Sequence, residues 1–109
     1  MPPATLINCF EVPSDEDDAF LALWHQADEL LRSRGAYATT RLHKSLIPES
    51  RFRFINVAEL PSVDVWRSVI QEPEFGAISA QMARFHPTPG LYAVEVSNAA
   101  HAGRRSYRA

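Results

Sequence analysis

At 109 residues, 46% hydrophobic and 22% charged, the chain has material for one globular domain with one core and not for two. A formal charge of −2 gives no general attraction to nucleic-acid phosphates, and a single cysteine, Cys9, rules out an intrachain disulfide or a thiolate metal cluster. No apolar run has the length of a membrane span and "MPPATLINCF" lacks a basic leader region, so a soluble, cytoplasmic protein is expected.

In chain order, "TLINCFEV" (5–12) alternates as a strand, with Leu6, Asn8, Phe10 and Val12 on one face and Ile7, Cys9 and Glu11 on the other. "PSDEDD" then announces a helix over about 15–34. Ser14 is the expected N-cap, and the carboxylates suit the positive end of a helix dipole better than they suit a metal. Phe20, Leu23, Trp24, Ala27, Leu30 and Leu31 form its apolar stripe, and Gly35 its C-terminal stop. "AYATTRLHKSLI" (36–47) reads as a second strand, with Tyr37, Arg41 and His43 sharing a face by parity. "PES" turns the chain into a third strand, "RFRFINVAEL" (51–60). Ser62 caps a following helix carrying Val63, Trp66, Val69 and Ile70, and Pro73 opens another segment with Phe75, Ile78, Met82 and Phe85 on one side. "HPTPG" reads as a loop and "LYAVEV" (91–96) as the last strand. Residues 1–97 thus form the domain, and 98–109 are expected to be a flexible basic tail.

The order β-α-β-β-α-β is the ferredoxin-like split unit: four antiparallel strands with helices on one face. Both faces of the sheet carry apolar residues, while two helices cover only one. A second copy of the chain, or a stacked ligand, must therefore meet the other. RNA-recognition domains share the strand order and place aromatics on the third strand, as Phe52 and Phe54 are here. Their motif also needs a glycine, and residues 51–60 contain none. No nucleic acid and no membrane is the expectation.

Taken together, "INCFEVP", the helix with Trp24, "GAYATTRLHKSL", "FRFINVAELPS" and the helix with Phe75 occur in an order that resembles the antibiotic biosynthesis monooxygenase family over residues 5–96. The resemblance implies an α+β homodimer, described as a dimeric α+β barrel, with a substrate cavity between sheet and helices. It also implies oxidation of a small aromatic or polyketide-like compound by molecular oxygen, with no metal and no other cofactor. Physically, such chemistry needs a substrate whose own anion reduces oxygen, in a dry pocket with a base and an amide for the developing charge.

On this resemblance Asn56 stands at the pocket-amide position and would stabilise the substrate anion. Tyr37 or His43 would orient or deprotonate the substrate, while Asn8, Trp24, Phe54, Leu60 and Trp66 would contact it. The polyketide-tailoring relatives carry a tryptophan four residues after the asparagine, where this chain has Leu60. That departure keeps a second reading open, a small-molecule binding protein without catalysis. Heme-degrading relatives use a first-strand asparagine, a helix tryptophan and an iron-binding histidine. Asn8 answers the first, but Val69 and Ser79 occupy the other two positions, which removes the iron ligand. An isomerase or cyclase of the same fold is a further alternative, because fold does not set chemistry.

Overall fold

The structure, a computed structural model, describes residues 3–99. Strand β1 (Ala4–Phe10) lies between β3 (Phe54–Leu60) and β4 (Thr88–Tyr92), and β2 (Thr39–Lys44) pairs with the far side of β3. All pairings are antiparallel and the order is β2-β3-β1-β4. Helix α1 (Asp17–Ser33) follows β1. The second helical region divides at Pro73 into α2 (Val63–Ile70) and α3 (Pro73–Met82), and a short 3₁₀ turn (Ala83–Phe85) leads to β4. This is the expected ferredoxin-like arrangement.

The expected barrel is not formed. Strands β2 and β4 each have one paired neighbour, so the sheet is open with two edges. Physically, four strands are about half the number that encloses a side-chain-filled interior.

Local chemistry explains most of the boundaries. Helix α1 starts two residues later than sequence placed it, because the turn at its start is closed by the Glu16 N–H donating to the Pro13 carbonyl at 2.9 Å. The N-cap position is Glu16, without a side-chain cap, and not Ser14. Its C-terminus ends as expected at Gly35, whose φ of 75° is open to glycine at no steric cost. Gly35 N–H donates to the Arg32 carbonyl (3.0 Å) and Ala36 N–H to Leu31 (2.9 Å), the paired bonds of a Schellman stop. Ser62 caps α2, its hydroxyl accepting from Val65 N–H at 3.3 Å, and Pro73 sits in the first turn of α3, where a missing N–H is harmless.

Strand β4 begins three residues earlier than expected, taking in Pro89 and Gly90, and ends at Tyr92. An edge strand tolerates proline because one side of its backbone has no partner. Val94 and Val96, expected in this strand, lie beyond it and are 73% and 74% exposed. Strands β2 and β3 are also shorter than expected, leaving Tyr37 before one and Arg51 to Arg53 before the other. Of the expected tail, residues from 100 onward lie outside the described residues.

The core sits between the sheet and the helices. Phe20 of α1 is fully buried; it stacks on Phe54 of β3 at 4.8 Å, tilts against Phe10 of β1 at 4.9 Å and meets Phe85 edge-on at 5.4 Å. Pairing of Phe10 with Phe54, Asn8 with Asn56 and Leu6 with Ala58 puts all six on this helix-covered face. By the same alternation Ile7, Cys9, Ile55, Val57, Arg41 and His43 belong to the opposite face.

The arginines of the 51–60 stretch are ion-paired within the chain. Arg51 meets Glu11 at 3.2 Å and covers the Phe52 ring at 4.8 Å, while Arg53 meets Asp17 at 2.7 Å. Lys44 approaches Asp17 at 3.0 Å, so this carboxylate ties the start of α1 to β2 and to the residue before β3. The hydrogen bond from Arg53, then that from Lys44, together outweigh desolvation and lower the Asp17 carboxyl to about 2. A folded value below the unfolded one means stability that is present above the ordinary carboxylate range and lost as pH falls through about 2. Asp17→Asn should therefore lose on the order of 1 kcal/mol at neutral pH. In thermal melts against pH, the gap to the parent protein should close as pH approaches 2. A gap constant over that window would contradict the assignment.

Candidate functional site

Between the helix-covered face of the sheet and the helices lies a cavity of about 200 Å³. Its floor is the sheet. Asn8 of β1 and Asn56 of β3 are directly opposed in the strand register, with Pro89 of β4 beside Asn8 and Leu42 of β2 beside Asn56. A pair of amides thus lies between the Phe10–Phe54 pair and the Leu6–Ala58 pair. Its walls are chiefly apolar: Trp24 and Leu31 come from α1, Trp66 and Ile70 from α2, Phe75 and Met82 from α3.

The amides are held but not satisfied. Asn56 is 4% exposed, and the Oδ1 atoms of both Asn8 and Asn56 are buried without a hydrogen-bond partner. A buried polar group left in this state costs about 1–3 kcal/mol, a cost that a ligand with complementary groups removes.

Tyr37 also lines the cavity, although strand parity groups it with His43. Parity fails because the residue precedes β2 and does not share its pleat. The Tyr37 ring instead joins the packing around Leu6, Ala58 and Leu60 on one side and Leu31 and Val69 on the other, with Trp66 beside it. Burial pushes its phenol well above the ordinary tyrosine range, and the Asp28 charge adds to the shift. At neutral pH this hydroxyl is a hydrogen-bond donor.

His43 is exposed, in the strand position that faces away from the cavity, and the structure does not bring it to Asn56. Phe54 and Leu60 are buried and not part of the cavity lining; Phe54 is committed to the aromatic core and Leu60 packs with Leu6 and Ala58. Asn8, Trp24, Tyr37, Asn56 and Trp66 are the sequence-selected residues that converge on one space.

Sequence reasoning passed over Asp28. It lies within the apolar stripe of α1, one turn after Trp24, is 7% exposed and lines the same cavity. Its Oδ2 accepts from Arg32 Nε at 2.8 Å, an i,i+4 pair, while Oδ1 is buried with no partner. A carboxylate inside a hydrophobic stripe was the available signal. Among the described residues, no group of three potential metal-ligating side chains gathers at one point.

An open antiparallel sheet with helices on one face is the ferredoxin-like fold, and the chain shares that fold with solved structures of antibiotic biosynthesis monooxygenases. In particular, it is similar to a candidate monooxygenase from Shewanella loihica PV-4, with 28% identity and a TM-score of 0.73 over 87% of this chain and 96% of that one. A variant of SnoaB, a cofactor-independent oxygenase from Streptomyces nogalater, matches at 13% identity and TM-score 0.75, covering 89% of this chain and 97% of the other. A dimeric ferredoxin-like protein of unknown function from Jannaschia sp. CCS1 matches at 9% identity and TM-score 0.70, over 85% of this chain and all of its own. Neither a protein-family model nor a curated protein matches the chain. Among the described residues, no helix is long and apolar enough to cross a membrane.

Proposed function

We propose that the chain is a cofactor-independent monooxygenase acting on a small, electron-rich hydroxyaromatic compound. The observation that carries this reading is the chiefly apolar cavity with the opposed Asn8–Asn56 pair on its floor. An apolar enclosure favours a neutral aromatic ring, and an amide can turn its N–H groups toward an oxygen that becomes negative during reaction. Asn56, the more deeply buried of the two, is assigned that role. Tyr37 serves as an orienting donor, and Trp24 and Trp66 as ring-contacting walls.

Size narrows the substrate. A cavity of about 150 Å³ binds benzene, so a cavity of about 200 Å³ suits one substituted ring or a fused pair better than a tetracyclic skeleton. The test is oxygen uptake with dihydroxynaphthalene and with an anthrone. Turnover should be seen with the bicyclic compound, and Asn56→Ala should lower kcat by about 100- to 1,000-fold. Binding without oxygen uptake would favour the second reading, a binding protein, for which Leu60 at the position of the relatives' tryptophan speaks.

The working unit in this proposal is a homodimer. Ile7, Ile55 and Val57 lie on the sheet face opposite the helices, and Val94 and Val96 beyond β4 are largely exposed. Light scattering at micromolar concentration should give a dimer mass, and Val94→Asp with Val96→Asp should shift it toward the monomer. A monomer mass for the parent protein would refute this part.

A further inference from the structure

We propose that Asp28 is the proton acceptor of the cavity and that the ligand is selected by a hydroxyl group donating to it from across the ring from the Asn8–Asn56 pair. The assignment follows from an accounting of polar atoms. Asn8, Asn56 and Asp28 each leave a buried oxygen without a partner, and all three residues line one space. The two amides do not fix the polarity of a ligand, because each presents a donor as readily as an acceptor when it turns. A carboxylate ion-paired to Arg32 has no such freedom: its free oxygen only accepts. The ligand must therefore bring a donor to the α1 wall.

Asp28 and Tyr37 are the titratable side chains among the cavity-lining residues, and His43 lies on the other side of the sheet. Tyr37 keeps its proton in this environment, so it cannot begin the reaction as a base. Asp28 combines burial, an unpartnered oxygen and a fixed orientation, since Arg32 holds its other oxygen at 2.8 Å.

The chemical step rests on the oxygenase reading; the binding step does not. A ring hydroxyl gives its proton to Asp28 Oδ1, leaving a naphtholate. The carbon para to that oxygen gives an electron pair to O2 and forms a C–O bond. The resulting peroxide anion, on the far side of the ring from Asp28, takes a proton from solvent, and Asp28 gives the proton it accepted to solvent. Cleavage of the O–O bond with loss of the C–H proton gives a carbonyl and one water. Dihydroxynaphthalene and O2 thus become a hydroxynaphthoquinone and water, with Asp28 again a carboxylate.

Both tryptophans of the cavity report binding by fluorescence quenching. Dihydroxynaphthalene should bind the parent protein at least 10-fold more tightly than dimethoxynaphthalene, which has the same ring and no donor. Asp28→Asn should reduce that preference to about 2-fold or less and lower kcat about 100-fold or more. Equal binding of diol and ether by the parent protein would overturn the proposal without reliance on any variant. Unchanged turnover or unchanged preference in a folded Asp28→Asn protein would overturn it too. Donor preference without oxygen uptake in the parent protein would uphold the Asp28 contact and refute the oxygenase reading.

Discussion

Phe20→Ala is expected to lower the free energy of unfolding by about 3–5 kcal/mol, measured by urea denaturation followed by circular dichroism. Phe20 is fully buried and touches the rings of Phe10, Phe54 and Phe85 at centroid distances from 4.8 to 5.4 Å. These three partners come from β1, β3 and the turn before β4, so one ring on α1 joins the helix to both central strands. Truncation removes its transfer free energy and leaves a void whose other walls are backbone-anchored aromatics, which cannot collapse far. The loss is a large share of the roughly 5–15 kcal/mol that holds an ordinary domain together. A cost below about 1.5 kcal/mol would mean that the aromatic cluster is not the mechanical centre of the fold.

Ala27→Phe should have the opposite character: little loss of stability and nearly complete loss of ligand binding. Ala27 lies on α1 between Trp24 and Asp28 and lines the cavity. Because a benzene ring fits a cavity of about 150 Å³, a grafted phenyl group has room in about 200 Å³. It then occupies the volume a substrate ring needs. Binding of dihydroxynaphthalene should weaken by about 100-fold or more, or about 2.7 kcal/mol, while the melting temperature changes by a few degrees at most. Retained binding alongside retained stability would place the ligand elsewhere on the molecule. Together the two substitutions separate what holds the fold from what the fold encloses.

Much of this architecture was legible because local signals and hydrophobic period agree. Gly35 terminates α1, Ser62 caps α2 and Pro73 opens α3 as their residue chemistry requires. Asn56 could be picked out as an amide in an apolar strand, and its neighbour across the sheet, Asn8, had the same mark. What sequence could not give was spatial. Tyr37 and His43 are six positions apart, an even number, yet the strand begins only at Thr39, so parity assigned Tyr37 to the wrong company. Pro89 and Gly90 resemble a loop until an edge strand claims them. The open sheet corrected the barrel because closure depends on strand pairing, which no local pattern records. Asp28 escapes notice for a different reason: an amphipathic stripe is defined by its apolar members, and a carboxylate inside it does not alter the period.

The opposition of Asn8 and Asn56 has a consequence for how this protein tolerates change. Side chains alternate along a strand, so moving β1 by one position past β3 turns Asn8 outward, leaves Asn56 without its opposed amide and presents Ile and Cys to the cavity. A single-residue deletion between Ala4 and Asn8 is such a shift. It changes little in composition, yet it inverts the whole inner surface of the strand at once. Insertions and deletions in β1 should consequently be far less permissible than point substitutions at the same positions. In a library of random variants, the strand's reading frame, more than the identity of any one apolar residue, should be what purifying selection guards.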